Sequence, residues 1–134
     1  MGWYFEYGAS RADVIRRLTA PQKNEKTGWE RKPLKFSTAG NVLWVVWEIT
    51  CPNGDKVRHI GCDLLRPSKD GWGYKPMDED MEPCYYSCPL SYLDMVPGGR
   101  PEWRAKVRAY WEQRKARSVE RRARKARWLT ASQV

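Results

Sequence analysis

Eight basic side chains crowd one stretch near the end of the sequence, and their spacing indicates phosphate chemistry. Arg114, Arg117, Arg121 and Arg124 follow an i, i+3, i+7, i+10 pattern, which a helix places along one ridge. Guanidinium groups in such a row bind phosphate oxygens through charge-assisted, bidentate hydrogen bonds. The candidate contact residues for nucleic acid, or for an acidic surface of a partner protein complex, are Arg114, Lys115, Arg117, Arg121, Arg122, Arg124, Lys125 and Arg127.

The charge of the chain is concentrated on this C-terminal segment. Residues 1–99 hold 13 Lys or Arg and 13 Asp or Glu, whereas residues 100–134 hold 12 and 3, so the whole net charge of +9 lies in the second range. Charge gathered on one element is typical of a protein that binds polyanions. The alternative is a solvated helix face on which the three glutamates pair with bases one turn away. Three acids do not balance twelve bases, so binding is the favoured interpretation.

Four cysteines, Cys51, Cys62, Cys84 and Cys88, raise the question of a zinc site. A structural zinc site normally uses two close cysteine pairs, whereas only Cys84 and Cys88 are close in this sequence. A hairpin tip near Cys51 places Cys62 about 20 Å away along the strand. The spacing therefore predicts reduced, mostly buried thiols and no metal, and it leaves a Cys84–Cys88 redox pair as the alternative.

Cys88 and His59 are the residues that could form a cysteine–histidine catalytic pair. Cys88 is expected at the start of a short helix, where a thiol pKa is lowered. Its base would have to be His59, the only histidine, which the pattern places in the middle of a strand as a structural or exposed side chain. We therefore expect no enzymatic activity, no catalytic residues and no cofactor.

The acidic run Asp78–Glu82 is a second cluster of possible ligands. It lacks the alternating ligands and the fixed glycine of a calcium loop, so it is expected to be a solvated loop or the start of a helix. A further hypothesis is that this run docks on the basic C-terminal segment and masks it until a stronger polyanion competes.

Periodicity and turn residues indicate the elements that position these groups. Trp3–Tyr7 predicts a short strand, and Ser10 with Asp13 predicts the capping box of a short helix. Residues 22–32 are expected to form a surface loop. Turn residues then delimit a predicted antiparallel meander with strands at Leu34–Thr38, Asn41–Thr50 and Lys56–Leu65.

The second of these strands is apolar on both sides over residues 42–47, so both faces of the sheet need a cover. The Pro- and Tyr-rich segment Pro67–Gly99 is the predicted cover of the second face. Within it, a short helix is expected over Pro89–Met95, beginning at Ser87 or Cys88, because proline suits a first helical turn.

A long helix over Pro101–Trp128 is the last predicted element. Its first half is expected to dock on the body through an apolar stripe at i, i+4, i+7 and i+8. The stripe consists of Trp103, Val107, Tyr110 and Trp111. The predicted organisation is a compact α+β domain over residues 1–112 and a basic helical extension over residues 113–134, which is solvated or frayed until a partner binds.

Several segments together resemble a known group of sequences. They are Leu43–Glu48, Gly61–Leu65, Trp72–Tyr74 and Tyr85–Asp94. With the opening Met1-Gly2-Trp3, the chain resembles an uncharacterised family of small proteins encoded by bacteriophages, prophages and plasmids, over roughly residues 1–112. The resemblance implies a mobile-element origin and assigns no site residues, and it does not extend to the basic segment.

Together these patterns predict a non-catalytic accessory protein of a phage or mobile element. We expect it to bind nucleic acid, or a host complex that handles nucleic acid, through the basic helix. The alternative is an inhibitor of a host defence system that acts by direct protein–protein binding. No apolar run is long enough to span a membrane and no secretion signal opens the chain, so the expected location is the bacterial cytoplasm.

Overall fold

The computed structural model describes residues 2–77, 87–98 and 101–131. Within these ranges the chain forms the α+β fold that the sequence predicts, with a six-stranded antiparallel sheet and helices on both of its faces. The strands are β1 (Tyr4–Phe5), β2 (Gln22–Lys23), β3 (Glu30–Ala39), β4 (Val42–Thr50), β5 (Lys56–Ser68) and β6 (Gly71–Met77). The helices are α1 (Arg11–Leu18), α2 (Leu90–Met95) and α3 (Pro101–Ala131).

The strand order across the sheet is β1-β6-β5-β4-β3-β2. The predicted meander is confirmed at β3, β4 and β5, and β6 extends it by one further antiparallel strand. The prediction that residues from Pro67 onward cover the sheet is therefore wrong for Gly71–Met77, which lies within the sheet. β5 also runs on to Ser68, beyond the end of β4, and pairs there with β6 alone.

Strand β4 is buried on both sides, as its sequence predicts. Leu43, Val45 and Trp47 point to the side covered by α1, where Val14 and Leu65 complete a core cluster. Trp44 and Val46 point to the opposite side, which α2 and α3 cover. We call these two sides the α1 face and the α3 face.

The N-terminal elements follow the predicted order. Ser10 and Asp13 form the capping box of α1, because the Ser10 side chain accepts from the Asp13 backbone and the Asp13 carboxylate accepts from the Ser10 backbone. Strand β1 is shorter than predicted, with only Tyr4 and Phe5 paired to β6.

Residues 22–32 are not the plain surface loop that the sequence predicted. Gln22 pairs with Arg31 and Lys23 with Glu30, so β2 and the start of β3 form a hairpin. The turn of this hairpin is set by Asn24, whose side-chain oxygen accepts from two backbone amides of the turn at 3.0 and 3.2 Å. Local polar bonding of this kind stabilises a strand pair that hydrophobic patterning does not reveal.

Residues 87–98 cover the α3 face, as predicted for this part of the chain. Tyr92 is buried and donates to the Ser37 hydroxyl at 2.9 Å, which fixes α2 against β3. The helix follows Pro89 as its N-cap, without a side-chain cap, so the expectation that Ser87 or Cys88 begins it is wrong. Residues 78–82, and with them the masking hypothesis, lie outside the described residues.

Helix α3 returns antiparallel to α2. Arg104 donates to the carbonyl oxygens of Leu93, at 2.9 Å, and of Val96. About two turns further along α3, Trp111 donates to the carbonyl oxygen of Cys88 at 2.7 Å. The predicted helix is confirmed and continues to Ala131. Among the described residues, none of the helices is both long and apolar enough for a bilayer span.

Candidate nucleic-acid interface

The second half of α3 leaves the body and is solvent-exposed. Its residues 113–131 span about 28 Å at 1.5 Å per residue. Val119 is 57% exposed and Trp128 is 68% exposed, so these two large apolar side chains of this half are mostly open to solvent. All eight predicted contact residues are exposed: Arg114, Lys115, Arg117, Arg121, Arg122, Arg124, Lys125 and Arg127.

This exposed half carries a high uncompensated charge. Residues 113–131 contain eight Lys or Arg and one Glu, which gives a net charge of +7. The glutamate, Glu120, pairs with Arg124 at 2.6 Å, and this is the only ion pair of the segment within the described part of the chain. The other seven cations therefore keep their charge available to a polyanion.

Four of the eight cations share one side of the helix with the docked apolar residues. Residues spaced three or four apart fall on one line when a helix has about 3.6 residues per turn. One such line, which we call the α3 stripe, consists of Trp103, Val107, Tyr110, Arg114, Arg117, Arg121, Lys125 and Trp128. Trp103 and Val107 are buried against the sheet, so the cationic part of the stripe projects from the side of α3 that faces the body.

The opposite side of the exposed half is lined by small or β-branched residues. Ala116, Val119, Ala123 and Ala126 follow the same three-four spacing, about half a turn from the α3 stripe. These side chains offer little apolar area to a membrane or to a protein groove. The charged side is therefore the chemically distinctive one.

Arg114 marks the boundary between the docked and exposed halves. Its guanidinium donates to the Tyr110 hydroxyl at 3.1 Å and lies 5.7 Å from the centre of the Trp111 ring. Tyr110 and Trp111 meet edge to face at 5.2 Å. These contacts orient Arg114 more firmly than the cations that follow it, because planar guanidinium groups stack well on aromatic rings.

The predicted environment of Cys88 is wrong. Cys88 is fully buried, and burial raises the pKa of its thiol to about 12, which the nearby Arg104 only partly offsets. The helix behind it has six residues and starts at Leu90, so the fold supplies no exposed helix start to lower this pKa. Desolvation of the thiolate therefore dominates.

His59 does not approach Cys88 either. His59 is exposed and pairs in register with Trp47, which belongs to the α1 face. Cys88 lies in the core of the α3 face. Asp63 pairs with Leu43 and so also lies on the α1 face. Burial raises the pKa of its carboxyl to about 6, and the nearby Arg31 offsets part of this rise. The sheet separates these groups from the thiol.

We expect Cys88 to resist iodoacetamide in the folded protein at about pH 8 and to react after unfolding. A buried thiol with a pKa near 12 presents almost no thiolate. Peptide mapping by mass spectrometry measures the modification, and the half-buried Cys51 is the internal control. Modification of Cys88 at the rate of Cys51 in the folded protein would contradict the burial described here.

The cysteines are not assembled into a metal site in the part of the chain that the structure covers. Cys51 follows the end of β4, and Cys62 is buried opposite Trp44 on the α3 face. Cys84 falls outside the described ranges. Within those ranges, no group of three or more His, Cys, Asp or Glu side chains has metal-binding geometry.

Sequence reasoning missed an aromatic and cationic cluster at the β1 edge of the sheet. The Trp3 and Phe5 rings stack at 6.0 Å with an interplanar angle of 21°, and the Arg66 guanidinium lies 5.5 Å from the Trp3 ring centre. Phe5 is 47% exposed. We call these three residues the edge cluster. The only sequence signal for this cluster was the run of aromatic residues near the N-terminus, and that run is equally typical of a short strand.

Comparisons with known proteins do not extend this picture. No family model matches the chain, and neither the curated proteins nor the solved structures include a match to it.

Proposed function

We propose that the protein is a non-catalytic accessory protein that binds nucleic acid through the cationic part of the α3 stripe. The observation that carries this proposal is the net charge of +7 on residues 113–131, displayed on an exposed helix with one internal counter-charge. Nucleic acid is the polyanion whose regular phosphate spacing suits a row of guanidinium groups.

A merely solvated helix is a weaker explanation of the same segment. Seven unpaired cations on one helix repel one another and lower its intrinsic stability. Solubility alone does not require this arrangement, because charges spread over the body would serve it without repulsion along one helix. A polyanionic partner removes the repulsion and releases counterions, which gives the arrangement a function.

One observation favours a second candidate, a direct inhibitor of a host protein complex. Trp128 lies at the end of the α3 stripe and is 68% exposed, and exposed tryptophan beside arginine is typical of the anchor residues of protein interfaces. Affinity purification from host lysate, with and without nuclease, distinguishes the two functions. A stoichiometric complex that survives nuclease supports the inhibitor, and material lost on nuclease treatment supports nucleic-acid binding.

Replacement of the four stripe cations Arg114, Arg117, Arg121 and Lys125 by glutamine is expected to weaken nucleic-acid binding at least tenfold. Each neutralised phosphate contact contributes roughly 0.7 to 0.9 to the slope of log affinity against log salt, so this slope should fall by roughly 3. Fluorescence anisotropy of a labelled oligonucleotide, titrated between about 50 and 200 mM salt, measures both quantities.

The matched control removes the same charge elsewhere. Arg16, Lys23, Lys26 and Lys32 are exposed and lie on α1, the β2–β3 hairpin and β3. Their replacement by glutamine should leave most of the affinity intact. Equal losses in the two variants would show that net charge, and not the α3 stripe, determines binding.

A further inference from the structure

The edge cluster lies on the same face of the sheet as α3. Phe5 pairs with Gly73, and Gly73 pairs with Arg66, so the side chains of Phe5 and Arg66 share a face. Arg66 stands four residues after Cys62 on β5, and alternation along a strand puts both on one side. Cys62 belongs to the core beneath α2 and α3. The edge cluster is therefore on the α3 face.

The edge cluster also lies at the end of the sheet where α3 leaves. Trp44 donates to Ser87 at 3.3 Å, and Arg58 donates to the carbonyl oxygen of Met95 at 3.0 Å. Helix α2 therefore runs along β4 and β5 from the level of Trp44 to the level of Arg58. Helix α3 is antiparallel to α2, so its exposed half leaves over the opposite end of these strands.

At that end β5 continues beyond β4. Val42, the first residue of β4, pairs with Leu64, and Arg66 lies two residues further along β5. The exposed half of α3 thus leaves the body in the direction of the edge cluster, and the cationic part of the α3 stripe is on the side of the helix turned toward the same sheet face. The two features therefore lie at the same end of the α3 face, and one presents cations while the other presents stacked rings.

We propose that this end of the α3 face binds single-stranded nucleic acid, with phosphates along the α3 stripe and unpaired bases stacked on the edge cluster. The inference rests on the proposed function and specifies its substrate. Aromatic rings recognise base faces, which a duplex conceals and a single strand presents. Phe5 is 47% exposed, and Arg66 adds a cation beside the rings, the combination that single-strand grooves use.

The partial burial of the rings suits a stacking surface. Gly73 lies directly beneath Phe5, since a Cβ at this position would stand 2.5 Å from the ring Cδ1 atom. The absence of a side chain lets the Phe5 ring lie flat on the strand backbone. Because one side of the Phe5 ring already packs on the strand, a base that stacks on its exposed side costs little additional side-chain entropy.

The Trp3→Ala variant tests the proposal with an oligothymidine of about 12 nucleotides and a duplex of equal length. We expect the variant to bind the single strand about tenfold more weakly and the duplex with unchanged affinity, because stacking one base on an aromatic ring contributes about that factor. The wild-type protein should prefer the single strand at equal salt. Trp29→Ala is the matched control, since Trp29 is 47% exposed in the turn between β2 and β3.

Photo-cross-linking supplies a second measurement that does not depend on how the variant folds. A bromouracil-containing strand bound to the wild-type protein should cross-link to the tryptic peptide of residues 1–11. Cross-links confined to other peptides, an unchanged single-strand affinity in Trp3→Ala, or a wild-type preference for duplex would each overturn the single-strand proposal while leaving the proposed function intact. Absence of any nucleic-acid binding by the wild-type chain would overturn both.

Discussion

Truncation of the chain after Glu112 is expected to lower nucleic-acid affinity at least about 100-fold while the body stays folded. The removed part contains eight exposed cations, and Val119 and Trp128 within it are more than half exposed. Trp111, whose bond to the Cys88 carbonyl oxygen ties α3 to the body, is retained. The thermal unfolding midpoint should therefore move by less than about 4 °C.

Two measurements check this result, and a full-length variant controls for the helix itself. Anisotropy gives the affinity, and circular dichroism gives the unfolding midpoint. Glutamine at all eight cationic positions of residues 113–131 keeps the helix and removes its charge, so it should reproduce the loss of binding. If the truncated chain failed to fold, the boundary between body and extension would lie further along α3.

The second large effect concerns the residue that anchors α3 to the sheet. Trp103 is 5% exposed and packs in the core of the α3 face with Trp44, Leu93 and Val107. Its replacement by alanine should lower the free energy of unfolding by about 3–5 kcal/mol. Since single domains are stable by only about 5–15 kcal/mol, this is a large fraction of the total.

The helix contains its own matched control for this substitution. Trp128 is the same residue type on the same helix, yet it is 68% exposed. Its replacement by alanine should change the free energy of unfolding by no more than about 0.5 kcal/mol. Urea denaturation followed by circular dichroism compares the two variants. Similar losses would mean that Trp128 packs in solution in a way that the fold described here does not contain.

Local signals in the sequence predicted those parts of the fold that local chemistry determines. The capping box of Ser10 and Asp13 and the apolar run of β4 depend on neighbouring residues alone, and both are confirmed. Strand β6 was missed because Gly71, Gly73 and Pro76 are poor strand formers. Tertiary structure overrides this preference, since the carbonyl oxygen of Tyr4 on β1 lies only 2.5 Å from where a Cβ of residue 73 would stand.

The α3 cations and the edge cluster also differ in whether local sequence or tertiary pairing determines them. The eight cations could be predicted because charge density and helical spacing are sequence properties, and their exposure agrees with the prediction that the apolar stripe ends before them. The edge cluster depends on the pairing of β1 with β6, which joins Tyr4 to Tyr74 across about half of the chain. No local pattern specifies that pairing, and it determines where Trp3 and Phe5 lie.

The continuity of α3 from buried start to exposed end changes the energetics of helix formation. An isolated peptide with this charge would have to form its first turn unaided, a step disfavoured by a factor of about 1,000. In the whole protein, Trp103 and Val107 hold that first turn in place, so the charged half only has to propagate an existing helix. The proposed nucleic-acid ligand would therefore meet a helix that is already formed, and no binding free energy would be spent on folding it.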